Sequence, residues 1–150
     1  MEILNKYNLQ KEKNLVQRLS EAKSLTGNPI LITMYIPSNY YISSAINLLK
    51  SELSIATNIK NVLERTSVAL AIKSSIDCLE PWNCYNAPKN GLVLCSGEIY
   101  YETASTLCRK PTQEVFVFVS QKKLSKRLYV RDNKFHLDSI LEMCEEDEIL

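Results

Sequence analysis

The run Glu114-Val115-Phe116-Val117-Phe118-Val119 constrains the fold of this chain more than any other stretch. Branched and ring side chains pack well on a pleated surface and lose rotamer freedom in a helix, so the run predicts a strand. Ile30 to Ile36 is likewise apolar and rich in β-branched residues, and reads as a buried strand ended by Pro37-Ser38-Asn39. A short strand is expected at Leu92–Cys95, entered through the turn signal Pro88-Lys89-Asn90-Gly91. A last one is expected from Arg127 to Val130.

Helical spacing fills the intervals. Leu15, Val16, Leu19, Ala22 and Leu25 recur at three- to four-residue steps, predicting a helix over 8–25 with Asn8 as cap and Gly27 as stop. Ile42, Ala45, Ile46, Leu49 and Leu53 mark a second helix. Ile59, Val62, Leu63, Thr66, Leu70 and Ile76 mark a third, expected to be capped by Thr57 and to carry Asn58, Ile59 and Lys60 in its first turn. Glu80-Pro81-Trp82-Asn83 should break it. His136 to Met143 reads as a closing helix. The order α-β-α-α-β-β-β-α predicts a single α/β (α+β) domain, with about four helices on a mixed sheet of about four strands.

With 150 residues, 45% hydrophobic and 23% charged, the chain has the length and composition of one globular domain. No apolar run approaches the roughly 18 residues of a membrane span, and the N-terminus lacks a secretory pattern, so a cytoplasmic monomer without membrane contact is expected. The five cysteines include no CxxC pair and the chain has one histidine, His136, so reduced thiols and no metal site are expected. The net charge of +1 hides an asymmetry. Residues 142–150 are acidic without a base, whereas Lys122, Lys123, Lys126, Arg127, Arg131 and Lys134 face a single acid, Asp132, between Gln121 and Lys134. A basic stretch points to an anionic partner, and a plain solvated surface is the alternative.

Catalytic patterns are missing. There is no GxSxG, HExxH, GxxxxGK[ST] or GxGxxG, and three glycines leave little room for phosphate loops. A nucleophile–base pair would have to run through His136, whose place beside Phe135 is that of a capping or packing residue. Neither a catalytic residue nor a cofactor is expected.

Three segments are more specific: Glu52-Leu53-Ser54-Ile55-Ala56-Thr57-Asn58-Ile59-Lys60-Asn61, Asn90-Gly91-Leu92-Val93-Leu94-Cys95-Ser96-Gly97, and Leu128-Tyr129-Val130-Arg131-Asp132-Asn133-Lys134-Phe135-His136. Their order and spacing resemble the N-terminal, stop-codon-reading domain of eukaryotic and archaeal class 1 peptide chain release factors, with its TASNIKS, NGLV and YxCxxxF motifs. The resemblance runs over roughly 8–145. It departs from the family pattern at Asn61 for serine, Ile55 for threonine and Arg131 for cysteine, and Asn28-Pro29-Ile30 stands where the family has Gly-Thr-Ser.

The resemblance implies translation termination, with this domain recognising the mRNA stop codon in the decoding site of the small ribosomal subunit, against its rRNA. Asn58, Ile59 and Lys60 would read the first-position uridine, and Asn61 would belong to the codon-binding set beside them. Glu52 would help read the purines, since a carboxylate accepts from the adenine amine. Tyr129 would stack on a base or hold its loop. Arg131 would contact phosphate or guanine, or block the pocket. Phe135 belongs either to this set or to the core. Thr57, Arg65, Asn133 and Lys134 are additional candidates. Peptidyl-tRNA hydrolysis in the family needs a Gly-Gly-Gln loop of a middle domain, and its partner GTPase binds other domains. The resemblance thus divides the chain into a recognition domain at 1–141 and the start of an acidic linker at 142–150. An RNA-binding surveillance-type module without decoding, or a small Cys/His enzyme, are the alternatives.

Overall fold

The computed structural model describes residues 3–4, 9–24, 27–100 and 111–141. In chain order they form β1 (Ile3–Leu4), α1 (Leu9–Ser20), β2 (Leu31–Ile36), α2 (Ile42–Ala56), α3 (Val62–Leu79), β3 (Leu92–Ile99), β4 (Thr112–Val119) and β5 (Leu128–Asp132). A short 3-10 turn, Glu80–Trp82, follows α3 at the predicted break, and residues 138–141 are helical. The predicted cap Asn8, the helix position Leu25 and the acidic 142–150 segment lie outside the described residues.

The strands make one sheet in the order β1-β4-β3-β2-β5. β1 runs parallel to β4 and the other neighbours are antiparallel, so the sheet is mixed as predicted, with one strand more than expected. Two residues are too few to leave a periodic signal, and β1 was invisible for that reason. β3 and β4 are longer than predicted because Ser96-Gly97-Glu98 and Thr112-Gln113 pair with residues of the partner strand despite their polarity.

Paired residues on neighbouring strands point to the same face, so the register sorts the sheet into two sides. Ile32, Met34 and Ile36 share a face with Leu92, Leu94 and Ser96, with Val117, and with Tyr129 and Arg131. α3 covers this side, since the buried Ser96 hydroxyl donates to the Ala71 carbonyl at 2.9 Å, and α2 packs on α3. The opposite face carries Thr33, Val93, Cys95 and Phe118, all fully buried. There the chain after β5 folds back: the His136 amide donates to Thr33 Oγ1 at 2.9 Å, and the Tyr35 hydroxyl donates to the His136 carbonyl at 2.7 Å. Val16, Leu19 and Ala22 join the same core. Burying one such aliphatic side chain is worth about 1.5–3 kcal/mol.

Two helix boundaries differ from the sequence expectation. α1 ends at Ser20, and Lys23 then pairs through its backbone with Tyr100 and Lys134, extending the row of β2. α3 begins at Val62, not at Asn58. α2 continues through Ala56, where the Thr57 hydroxyl donates to the Ser54 carbonyl at 2.6 Å. Asn61, in extended conformation, is the cap: its side chain accepts from the Glu64 amide at 3.0 Å. Asn61-Val62-Leu63-Glu64 has capping-box spacing, a signal that was present but lost beside Thr57.

Candidate RNA-binding site

Because the strands of the central sheet are antiparallel and the α2–α3 hairpin runs along them, the molecule has two poles. At one pole lie the 57–61 turn, the start of β2 and the end of β5.

The turn is built locally. The Asn58 and Ile59 amides donate to the Ile55 and Ala56 carbonyls at 3.0 and 3.1 Å, winding the chain tightly out of α2. Ile59 packs against the core, which turns Asn58 and Lys60 outward to solvent. The half-buried Arg65 guanidinium donates to the Ile59 carbonyl at 3.2 Å and braces the turn from α3. Asn58 and Lys60 therefore sit between two helices. The positive end of the α3 dipole begins at Asn61, one residue beyond Lys60, which corrects the expectation that both lie within it.

Tyr129 and Arg131 alternate on β5 toward the face that the hairpin covers. Burial pushes the Tyr129 phenol up to about 12, the nearby Glu52 carboxylate adds to the rise, and the Arg131 guanidinium opposes it. Glu52, on α2 about one helical turn before the 57–61 turn, is near enough for its charge to act on Tyr129. Arg131 is further tied down, since its Nη1 donates to the Pro29 carbonyl at 2.8 Å. The two departures from the family pattern are one feature in space: the arginine holds the proline loop.

Beside that loop is a cleft of about 200 Å³ lined by Asn28, Ile30, Asn61, Glu64, Ser67 and Glu98, among others. Ser67 donates to Glu98 across it at 3.4 Å. Glu64, Ser67 and Glu98 were not assigned a role in sequence, because Glu98 lies on β3, about thirty residues beyond the first turns of α3 that carry the other two, and only the fold assembles them. Gly97 fits beneath: with φ at +149°, a Cβ there would sit 2.7 Å from a Leu31 methyl and 2.9 Å from the Ile30 carbonyl.

The structure brings together Glu52, Tyr129 and Arg131, with Thr57, Asn58, Ile59, Lys60, Asn61 and Arg65 on the same hairpin. Phe135 is buried, so the direct contact considered for it gives way to packing. Lys134 borders a hollow with Tyr35, Leu128 and His136 on the opposite face, away from Tyr129. Asn133 is exposed; its backbone amide donates to the Asp132 carboxylate and its carbonyl accepts from the Ser24 amide. Among the described residues no His/Cys/Asp/Glu group has metal-binding geometry. His136 bonds through Nε2 to Asp132 at 2.8 Å, and burial pushes the Cys95 thiol up, the opposite of what a nucleophile needs. No helix among the described residues is long and apolar enough to cross a membrane.

This arrangement has counterparts in known proteins. The family model described as eRF1 domain 1 matches residues 4–145. Eukaryotic peptide chain release factor subunit 1 of Trypanosoma brucei brucei is 34% identical over 138 residues, 92% of this chain and 28% of its own length. The Saccharomyces cerevisiae protein of that name is 33% identical over 98% of this chain and 32% of its own length. Peptide chain release factor subunit 1 of Saccharolobus solfataricus is 34% identical over 95% of this chain and 35% of its own. The crystal structure of the archaeal translation termination factor aRF1 superposes with a TM-score of 0.73 at 26% identity, over 95% of this chain and 35% of that one. The chain thus spans about a third of the length of the curated relatives it matches. Sequence over nearly the whole chain and fold in three dimensions agree, and the chain belongs to the eRF1 domain 1 family.

Proposed function

We propose that this domain recognises the mRNA stop codon in the decoding site of the small ribosomal subunit, against the subunit's rRNA. Peptidyl-tRNA hydrolysis would be triggered by a Gly-Gly-Gln middle domain and assisted by a GTPase bound elsewhere. The observation that carries this reading is that Tyr129 and Arg131 share the sheet face covered by the hairpin that carries Glu52 and exposes Asn58 and Lys60. These groups differ in what they offer a base. The Asn58 amide both donates and accepts, Lys60 only donates, Glu52 only accepts, and Tyr129 supplies a ring with a hydroxyl kept protonated. A site with both donors and acceptors discriminates base edges, which a uniformly basic surface cannot do. The domain's part is recognition, with chemistry elsewhere.

Lys60 supplies the test. It is exposed, so Lys60→Ala should change folding stability by no more than about 0.5 kcal/mol. Losing a hydrogen bond from a charged group costs about 1.5–3 kcal/mol, or about 10- to 150-fold. Peptide release from programmed ribosomes, with the domain fused to a Gly-Gly-Gln middle domain, should fall by that factor at every codon read, since the first base is shared. Unchanged release with unchanged subunit binding would refute the role of Lys60 and favour an RNA-binding surveillance-type module.

A further inference from the structure

The other pole is formed by the loops 37–41, 83–91 and 120–127. They are held together by backbone: Ala87 donates to Tyr40 at 2.7 Å, Ile42 to Tyr85 at 3.0 Å, Ser120 to Gly91 at 3.0 Å and Leu124 to Asn90 at 3.0 Å. Gly91, with φ at +92°, lies so close under Pro37 that a Cβ would stand 2.6 Å from the Ile36 carbonyl. On this framework four large rings stay in solvent, Tyr40 at 37% exposure, Trp82 at 41%, Tyr85 at 60% and Tyr41 at 63%. Trp82 and Tyr85 are 6.0 Å apart and tilted by 57°, so neither ring covers the other's face. Between them opens an apolar pocket of about 340 Å³, floored by Ile42, Leu92 and Val119 and bordered by Pro88.

The three loops contain Lys89, Lys122, Lys123, Lys126 and Arg127 and no acidic residue. Lys89, Lys123, Lys126 and Arg127 are exposed, and the Arg127 guanidinium lies 5.6 Å from the centre of the Tyr40 ring. Acids flank the loops at their edges: Glu80, whose carboxylate accepts from Asn83, and Asp138, which borders a hollow with Leu128.

We infer that this pole is a second nucleic-acid contact, one that takes a short single-stranded RNA segment with a base against Trp82 and Tyr85 and its phosphates along Lys89, Lys123, Lys126 and Arg127. Charge alone would suit an acidic peptide as well. The open ring faces decide for RNA, because every base has a flat face to stack and an acidic peptide has none. With its cations in the loops and its carboxylates only at the edges, this surface would hold RNA without reading its sequence. The inference does not depend on codon reading at the first pole.

Trp82 is the only tryptophan in the chain, so its emission reports on this pocket directly. Titrating the full chain with octa-adenylate should quench that emission saturably. The affinity should fall with salt, by about 0.7 log units per log unit of salt for each phosphate contact. A double variant, Lys123→Gln with Lys126→Gln, should flatten that dependence by about one to two contacts. Tyr85→Ala should weaken binding by about 5- to 150-fold, the range for loss of one base stack. Lys60→Ala, at the far pole, should leave the quench unchanged. Absence of quenching, equal quenching by octaglutamate, an unaltered salt slope in the double lysine variant, or loss of the quench in Lys60→Ala would each overturn the inference.

Discussion

The two poles of this domain are opposite ends of the same antiparallel strands and the same two helices, yet their chemistry is opposite. At the hairpin pole Lys60, Arg65 and Arg131 stand among Glu52, Glu64 and Glu98, and a carboxylate and a guanidinium act in opposite directions on the phenol of Tyr129. At the far pole the loops are basic and aromatic without an acid. A mixed field weakens non-specific attraction and makes each base edge find a matched partner. A uniform one attracts any polyanion and distinguishes little. The comparison separates selection from holding, and each can be broken alone.

The largest expected effect comes from the glycines at the two poles. Gly97→Ala and Gly91→Ala each push a Cβ into backbone from a conformation that side chains avoid, at about 1–3 kcal/mol of stability. Urea unfolding should show similar losses for both. Above its unfolding midpoint in denaturant neither protein is informative, but when folded, Gly97→Ala should impair release and spare Trp82 quenching, and Gly91→Ala the reverse. Equal damage to both readouts would mean the poles are not independent.

Next in size is Arg131→Cys. It frees the Pro29 carbonyl and removes donors that favour guanine O6 and N7 over the adenine amine. Release should be unequal among UAA, UAG and UGA with Arg131 in place, with a guanine-containing codon favoured. The cysteine variant should narrow the gap by roughly 5-fold, as expected for one hydrogen bond of about 1 kcal/mol. Equal rates on all three codons, unchanged by the substitution, would remove Arg131 from selection.

A smaller effect sharpens the electrostatics. The Tyr129 phenol should titrate near 12, observed by NMR of labelled tyrosine. Glu52→Gln should lower that value and Arg131→Cys should raise it. Since the folded value lies above the unfolded one of 10.0, the stability from this group is complete below pH 10 and declines as pH rises toward 12. A titration indifferent to Glu52 would separate the two residues in space.

The smallest expected effect is at Asp132. The Asn133 amide, then the His136 side chain, hold its carboxyl below the usual 3.8. Its contribution is present above pH 3.8 and disappears as pH falls through the lowered value. Acid unfolding of Asp132→Asn should therefore converge on the parent protein at low pH and differ slightly above it. A difference that grows on acidification would contradict the assignment.

Much of this was written in local sequence. The alternating valines and phenylalanines at 115–119, the apolar stretch at 31–36 and the spacing of Ile42, Ala45, Ile46 and Leu49 determined strands and helix, because burial of one face imposes its own period on the side chains. The resemblance drew attention to Asn58-Ile59-Lys60 and to Tyr129, but it did not show that the first three lie between two helices and not in the first turn of α3. The start of α3 was misplaced because Thr57 and Asn61 both carry capping side chains, and the choice depended on Ile59 reaching the core and Arg65 reaching its carbonyl. Only the tertiary structure paired β1 with β4, buried Phe135, turned Lys134 to the other face, joined Arg131 to Pro29, and gathered Glu64, Ser67 and Glu98 around one cleft. Those contacts join residues distant in the chain. No local period encodes them, and they follow from strand register and helix packing, which fix what meets across a sheet only once the whole core has closed.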